Sequence, residues 1–450
     1  MEKLFGTDGI RGHAAAFPLD DVTVREIGRS VARQFAERLG RVPRFVSGRD
    51  TRESGALIEA AFHSGAVEAG AECESAGVIT TPGVAFVTGR FGFDAGIVIS
   101  ASHNPYEDNG IKIFLSDGKK VDEATERAIE RDIHQSRSAN GSGARRPIAV
   151  RGSHASEYQE AYLDHLENEV EGLRLEGLRL AVDCANGAAS HLAPDLLRRL
   201  GAEVIAFNDE PDGRNINLNC GSLHLDQLQA KVLDEKADFG IAFDGDADRA
   251  LFVDESGKIV DGDATLWVMA RFMKDNGQLE NGKVVATVMS NIGLEIALSS
   301  IGLELIRAAV GDKYVLEELL RTESELGGEQ SGHVIFPRES LVGDGMMTSL
   351  FMLQATRSRA VPVSQTTEGF VRYPQTLVNV KVREKLPFDD VAAIASASRQ
   401  IESELAGKGR LLLRYSGTEN LARVMIEGQE QAEIERQANS LAEVIRASLG

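Results

Sequence analysis

The sequence predicts a multidomain α/β protein that ends in a smaller α+β domain. Its 450 residues are more than one hydrophobic core usually organises, and domain sizes suggest roughly three or four domains. Short apolar or β-branched runs alternate with helical patterns up to about residue 360, which is typical of α/β units. The later residues combine strand-like runs with a charged helical stretch, Gln431–Leu449, and this pattern favours a small α+β domain.

The first α/β unit is predicted from a few strongly apolar segments. Strands are expected at 44–47, 95–100 and 111–115, and small and apolar residues at helical spacing predict a helix over 56–69. The polar, Gly/Ser-rich stretch 134–153 predicts a linker.

The later units follow from the same reasoning. Predicted strands lie at 178–185, 204–207, 239–243, 284–289, 304–310, 377–382, 411–414 and 422–427. Predicted helices lie near 193–200, 266–274 and 294–300, with an interruption at 358–374. We therefore predict four domains, at 1–150, 151–255, 256–367 and 368–450.

Charge and cysteine content restrict the partners and the compartment. A net charge of −20 would repel nucleic acids and anionic membranes over most of the surface. We see neither an eighteen-residue apolar run nor the apolar stretch of a signal peptide. Three widely spaced cysteines, Cys73, Cys184 and Cys220, are typical of buried thiols in a reducing compartment. These features predict a cytoplasmic protein without a membrane span, in which an anionic substrate needs local clusters of cations.

An acidic loop is the strongest chemical signal. Asp244, Asp246 and Asp248 alternate directly after an apolar run, and such carboxylates can converge on Mg²⁺, Mn²⁺ or Ca²⁺. Glu255 gives the loop the length of an EF-hand, but Arg249 stands where that loop needs glycine and a strand-like run follows. A solvated acidic turn is the remaining alternative. Arg249 beside a metal suggests that an anion completes the coordination, and we expect Arg249 to bind the substrate.

A serine follows the predicted strand 95–100. Ser102 lies in the run Ser-Ala-Ser-His-Asn-Pro, at the edge of the sheet where α/β proteins place their sites. From these residues alone an ordinary turn is the better interpretation, and adjacency does not make His103 a base for Ser102. Lys112 on the next predicted strand could return to the same edge. The P-loop, the dinucleotide-binding GxGxxG and the hydrolase GxSxG patterns are absent.

Two further loops suit a phosphorylated sugar. Glu329 and Ser331 lie two residues apart in a Gly-rich loop that ends at His333, and they could hydrogen-bond sugar hydroxyls; a Gly-rich hairpin is the alternative. Near residue 417, Arg414 and Arg423 accompany hydroxyl groups and a glycine in a tight turn, which is typical of a phosphate site. Arginines also lie among glycines at 6–12 and 47–52, where surface ion pairs are the default interpretation.

Five ordered motifs along essentially the whole chain resemble the α-D-phosphohexomutase superfamily. They are GTDGIRG, SASHNP with the following NGIK, DGDADR, GGEQSGH and RYSGTEN. Three segments are most similar to the bacterial subgroup that acts on glucosamine phosphates. They are the EQSGH run from residue 329, the TVMSN run from residue 287 and the stretch from Asn215 to Ser222. The resemblance implies three related α/β domains with mixed sheets plus a smaller α+β C-terminal domain around a central active-site cleft.

The resemblance also implies roles for individual residues. Ser102 would be phosphorylated, and Asp244, Asp246 and Asp248 would hold one Mg²⁺ together with an oxygen of the phosphoserine. The remaining implied residues are Arg11, Lys112 and His333 for proton transfer at the reacting centre, Glu329 and Ser331 for the sugar, and Arg414, Ser416, Gly417, Thr418 and Arg423 for the phosphate that does not react.

The expected reaction interconverts glucosamine 6-phosphate and glucosamine 1-phosphate through a 1,6-bisphosphate, in the synthesis of UDP-N-acetylglucosamine and cell-wall precursors. A hexosamine or hexose 1,6-bisphosphate is the expected activator, and a homodimer is an open alternative to a monomer. A mutase for mannose or glucose phosphates on the same scaffold is the nearest rival. A non-catalytic sugar-phosphate-binding relative and a phosphatase are the others.

Overall fold

The computed structural model describes residues 3–6, 8–138, 150–416 and 419–450. The chain forms two compact units: Met1–Met289 with Leu303–Glu368, and Ser290–Gly302 with Gly369–Gly450. Part of the predicted linker, 139–149, lies outside the described residues. The four domain boundaries stay a prediction.

The first unit begins with a six-stranded mixed sheet. Its strands are β1 (Phe5–Gly6), β2 (Gly9–His13), β3 (Arg44–Arg49), β4 (Glu72–Val78), β5 (Ala95–Ile99) and β6 (Asp108–Leu115), in the order β1-β2-β6-β5-β3-β4. The helices are α1 (Asp21–Leu39), α2 (Gly55–Glu68), α3 (Thr81–Arg90) and α4 (Glu123–Ser138), and α5 (Ala155–Glu169) follows. Every residue of β5 is buried, as a central strand covered on both faces requires. The sheet thereby presents the residues after β5 at one edge.

A five-stranded mixed sheet carries the acidic loop. It contains β7 (Arg179–Asp183), β8 (Glu203–Phe207), β9 (Phe239–Phe243), β10 (Ala250–Asp254) and β11 (Ile259–Val260), in the order β11-β10-β9-β7-β8, with helices α6 (Leu192–Arg199) and α7 (Asp226–Glu235). Strands β9 and β10 pair antiparallel, so the loop closes a hairpin. The strand predicted after the acidic loop is confirmed, which excludes the helix of an EF-hand.

The third sheet has four strands. It contains β12 (Lys283–Thr287), β13 (Glu304–Ala308), β14 (Gly327–Gly328) and β15 (Val334–Ile335), in the order β13-β12-β14-β15. Its helices are α8 (Gly262–Asp275), α10 (Asp312–Thr322), α11 (Gly345–Arg359) and the single turn α12 (Val363–Thr366). The Asp261 side chain accepts a hydrogen bond from the amide of Ala264, and this cap explains why α8 begins before the predicted helix.

The second unit is a three-stranded antiparallel sheet with helices. It contains α9 (Ile292–Ser300), β16 (Gln375–Lys381), α13 (Ala392–Leu405), β17 (Gly409–Tyr415), β18 (Leu421–Gly428) and α14 (Gln431–Leu449), with strand order β16-β18-β17. The amide of Ile292 donates to Glu427 Oε2 at 3.1 Å. A Cβ on Gly293 would lie 1.9 Å from the Val371 carbonyl oxygen, so α9 packs closely against residues that come much later in the chain. Three α/β sheets of mixed direction and one smaller α+β unit confirm the predicted fold class.

Candidate active site

The acidic loop brings three buried carboxylates together. One oxygen from each of Asp244, Asp246 and Asp248 lies within 4.8 Å of the others. Ala247 adopts a left-handed φ of 54°, and its amide donates to the Asp244 carbonyl at 3.1 Å, which turns the alternate side chains to one side. Oδ1 of Asp246 and Oδ1 of Asp248 are buried without a hydrogen-bond donor. Because buried oxygens rarely lack a partner, this donor set fits a hard divalent cation.

The electrostatics of the loop depend on Lys112. Its buried ammonium group lies 2.8 Å from Asp246 Oδ2 and 3.6 Å from Asp248 Oδ2. Burial raises the pKa of Asp244 well above its ordinary value, and the charges of Asp248 and Asp246 add to the effect. Burial acts the same way on Asp248, but Lys112, His333 and Arg249 outweigh it and hold the pKa of Asp248 well below its ordinary value. The loop therefore concentrates negative charge that requires a cation.

Ser102 lies directly against this loop. Its hydroxyl donates a 2.6 Å hydrogen bond to Asp244 Oδ2, although the two residues are far apart in sequence. His103 Nδ1 lies 3.3 Å from the same hydroxyl and 3.2 Å from Arg249 Nη1. Burial, together with the nearby Arg249 and Arg11, lowers the pKa of His103 to about 4. Because so low a pKa makes the imidazole a weak base, His103 is a poor candidate for the group that activates Ser102.

Ion pairs extend from the acidic loop to helix α10. Asp8 pairs with Arg11 and lies 3.0 Å from Lys112 Nζ. Lys120 Nζ lies 2.6 Å from both Asp8 Oδ1 and Asp312 Oδ2. The three cations outweigh burial and hold the pKa of Asp8 well below its ordinary value. Arg11 and Lys112 are among the residues that the sequence predicts for the site, whereas Asp8, Lys120 and Asp312 are not.

The Gly-rich loop from Gly327 to His333 lies beside these groups. Glu329 Oε1 accepts from the amide of Gly311 at 3.1 Å, and Ser331 Oγ donates to Glu329 Oε2 at 3.4 Å. His333 Nδ1 lies 3.7 Å from Asp248 Oδ2. Burial would lower the pKa of His333, but Asp248 reverses this and raises it. The side chains of Glu329 and Ser331 therefore lie on the same side of the loop.

A cavity of about 410 Å³ opens onto the same region. Its charged and ionisable lining consists of Asp8, Arg11, His103, Asp248, Arg249, Asp312, Glu329 and His333. The predicted residues Arg11, Arg249, Glu329 and His333 therefore share one cavity, with a triad aspartate at its wall. A hexose phosphate is of the size such a cavity holds.

The predicted phosphate loop belongs to the second unit. Arg414 and Arg423 are direct partners on neighbouring strands, and burial and then the charge of Arg423 lower the pKa of Arg414. Ser416 is buried, its hydroxyl accepts from the Glu419 amide at 3.3 Å, and its carbonyl oxygen accepts from Lys385 Nζ at 2.7 Å. Adjacent like charges favour an anion site. Gly417 and Thr418 lie outside the described residues.

Four family models match successive ranges of the chain. The phosphoglucomutase/phosphomannomutase α/β/α domains I, II and III match residues 2–140, 160–257 and 261–373, and the C-terminal domain model matches 377–444. The chain belongs to the phosphoglucomutase/phosphomannomutase family, the α-D-phosphohexomutases.

Curated relatives of high identity share one name within that family. Proteins named phosphoglucosamine mutase from Solibacter usitatus and Symbiobacterium thermophilum are each 47% identical to this chain. The alignments cover 100% of this chain and 99% and 100% of the respective relatives.

Solved structures share the fold. A phosphoglucomutase/phosphomannomutase family protein from Burkholderia thailandensis matches with a TM-score of 0.79 and 24% identity, covering 99% of this chain and 97% of its own. N-acetylphosphoglucosamine mutase from Aspergillus fumigatus, in complex with GlcNAc-6P and magnesium, matches with a TM-score of 0.64 and 17% identity, over 99% and 96%. Within the described ranges, no helix has the length and apolarity to cross a bilayer.

Proposed function

We propose that this chain is a phosphoglucosamine mutase that uses Ser102 as a phosphoryl carrier. The contact that supports this most directly is the 2.6 Å hydrogen bond between Ser102 Oγ and Asp244, which places a hydroxyl against the carboxylate cluster. The names of relatives that are nearly half identical over the whole chain support glucosamine phosphate as the substrate.

Asp244, Asp246 and Asp248 would hold the metal, and their unpartnered buried oxygens support Mg²⁺. When bound, Mg²⁺ supplies positive charge next to the phosphoryl group in transfer. Lys112 is buried, but Asp246, Asp8 and Asp248 outweigh the effect of burial and raise its pKa, so it stays charged and would supply further positive charge there. Arg249 and Arg11 line the cavity and would bind anionic oxygens of the substrate.

The transfer proceeds in two steps on this proposal. The bond from phosphorus to Ser102 Oγ breaks as a bond forms to the hydroxyl on carbon 1 of glucosamine 6-phosphate, and the hydroxyl proton passes to His333. The resulting 1,6-bisphosphate turns around, and its 6-phosphoryl group returns to Ser102 Oγ as the bond from phosphorus to the oxygen on carbon 6 breaks. His333 gives the proton back to that oxygen, and glucosamine 1-phosphate leaves. Glu329 and Ser331 would bind sugar hydroxyls in both orientations, and the loop around Ser416 would bind the phosphate that does not react.

The first experiment tests the carrier. Ser102→Ala should abolish mutase turnover, measured by a coupled assay for glucosamine 1-phosphate, because no hydroxyl remains to accept the phosphoryl group. Its thermal unfolding should stay close to that of the wild type, since one small hydroxyl is lost. Near-normal turnover by the variant would exclude the scheme. A matched control is Ser116→Ala in the loop after β6.

The second experiment identifies the sugar. The values of kcat/KM for the 6-phosphates of glucosamine, glucose and mannose should favour glucosamine, with some activity on the others, since discrimination depends on a few hydrogen bonds. A preference for glucose or mannose would assign the chain to the rival mutases. Phosphate release without isomerisation would instead indicate a phosphatase.

Priming and assembly are further parts of the proposal. A hexose or hexosamine 1,6-bisphosphate would phosphorylate Ser102, and intact mass before and after its addition measures this directly. A homodimer and a cytoplasmic location stay predictions, which light scattering and cell fractionation would test.

A further inference from the structure

Ser102 has an unusual backbone conformation for a residue with a side chain. Its φ is 52°, in the left-handed region, which costs a residue other than glycine on the order of 1–3 kcal/mol and persists only where the surroundings hold it. Its amide donates to Ser100 Oγ at 2.9 Å. The carbonyl on its other side is held by two side chains from distant parts of the chain.

These two side chains bind the same pair of carbonyl oxygens. Asn217 Nδ2 donates to the carbonyl of Ser102 at 2.9 Å and to that of Asn104 at 3.0 Å. Arg52 Nη2 donates to the Ser102 carbonyl at 3.2 Å and also to that of Asn104, while its guanidinium is fixed by an ion pair with Asp50. Each carbonyl oxygen therefore accepts two hydrogen bonds, which is as many as its lone pairs allow.

The clamp, by which we mean the Asn217 and Arg52 side chains, is itself held in place. The amide of Asn217 donates to the Ala185 carbonyl at 2.9 Å. A Cβ on Gly245 in the acidic loop would lie 2.5 Å from the Ser102 carbonyl oxygen and 2.9 Å from Asn217 Nδ2. Ser102, Asn217 and the acidic loop therefore pack so closely that only glycine fits between them.

We propose that Asn217, together with Arg52, is a positioning residue that keeps Ser102 aimed at the acidic loop during both phosphoryl transfers. The inference rests on the proposed function, because the direction of the Ser102 side chain affects the rate only if Ser102 carries the phosphoryl group. Without the clamp, Ser102 relaxes toward negative φ, which swings its Oγ away from Asp244. A displacement of about 1 Å at a reacting atom can lower a rate by about a hundredfold.

The decisive variant is Asn217→Asp. It keeps the size of the side chain and its tolerance of left-handed φ, but it loses both N–H donors. We expect kcat to fall about 10- to 100-fold while KM for glucosamine 6-phosphate stays within about twofold. Phosphorylation of Ser102 by glucose 1,6-bisphosphate, followed by intact mass in a single turnover, should slow by the same factor as kcat. Substitution of a residue that only stabilises the fold would lower the melting temperature without lowering kcat at an unchanged KM.

The chain offers a matched control in Asn219→Asp. Asn219 is exposed and has a similar φ of 53°, so its variant should keep the wild-type kcat. If Asn217→Asp yields no folded protein, the same measurements on Asn217→Ala, which also lacks the donors, test the proposal. A folded variant at position 217 with kcat within about twofold of an active wild type would overturn the clamp. A wild type without mutase activity would instead show that the proposed function has failed.

Discussion

At the residue scale, Lys112 balances the charge of the acidic loop. Its ammonium contacts Asp246 and Asp248 from the neighbouring sheet, and it is almost fully buried. A buried charge that loses its partner is costly, whereas the pair itself contributes little net stability. The metal-free loop therefore depends on Lys112, together with Arg249, for its neutralisation.

This dependence predicts the behaviour of Lys112→Met. Without Mg²⁺ we expect the variant to lose about 3–5 kcal/mol of stability, seen as a lower melting temperature. Added Mg²⁺ should raise the melting temperature of the variant more than that of the wild type, because the ion replaces the missing charge. Lys119→Met, an exposed lysine, is the control and should change little. Equal responses to Mg²⁺ in variant and wild type would contradict the prediction.

The sequence predicts some of these residues and not others for a physical reason. Asp244, Asp246 and Asp248 are close in sequence, so their alternation alone indicates a shared ligand. Asp8, Lys120 and Asp312 meet only because the tertiary fold joins three segments, and no local pattern marks such an encounter. Asn217 likewise reaches Ser102 across the first unit.

At the scale of elements, aspartate side chains cap the starts of α1, α8 and α11. Asp344 caps α11, where its Oδ1 accepts from the Met347 amide at 3.0 Å and its Oδ2 accepts from the Tyr162 hydroxyl at 2.7 Å. Apolar periodicity predicts that a helix exists, but the cap determines where it begins. The single-turn helix α12, within the predicted interruption, is too short for periodicity to indicate.

Burial raises the pKa of Asp344 to about 6, and this gives the cap a pH dependence. The folded state binds this proton more tightly than the unfolded state, so stability from this group falls as pH rises from about 4 to about 6. Asp344→Asn keeps the cap without the charge. We expect the variant to exceed the wild type by up to about 3 kcal/mol at pH 8, with the difference shrinking toward pH 4. Melting temperatures across this range measure it, with Asp20→Asn at the start of α1 as control; a difference independent of pH would refute the assignment.

At the scale of the whole molecule, the second unit is discontinuous in sequence. Residues Ser290–Gly302 belong to it, although they lie between β12 and β13 of the first unit. Sequence patterns predict a helix at 294–300 within the third predicted domain, 256–367, and the structure extends it to Ile292–Ser300. Its contacts with Glu427 and Val371 come from packing that sequence order does not reveal.

The discontinuity predicts how an isolated second unit behaves. A fragment of residues 369–450 leaves the buried carboxylate of Glu427 without the Ile292 amide, so we expect low amide protection in hydrogen exchange. Fusing residues 290–302 to it through a Gly/Ser linker should increase that protection. The same fusion with Gly293→Ala is the control, because its Cβ would clash with the Val371 carbonyl. Equal protection in all three proteins would contradict the packing described for α9.

The position of α9 in the sequence, far ahead of the rest of the second unit, also affects folding during synthesis. Once α9 has left the ribosome, its partner Glu427 follows only after roughly 130 further residues, on the order of 10 s at typical elongation rates. Meanwhile the amide of Ile292 lacks its carboxylate partner, and Gly293 lacks the backbone of Val371 that it packs against in the finished protein. Translation speed over this interval therefore sets how long the start of α9 stays without these two partners.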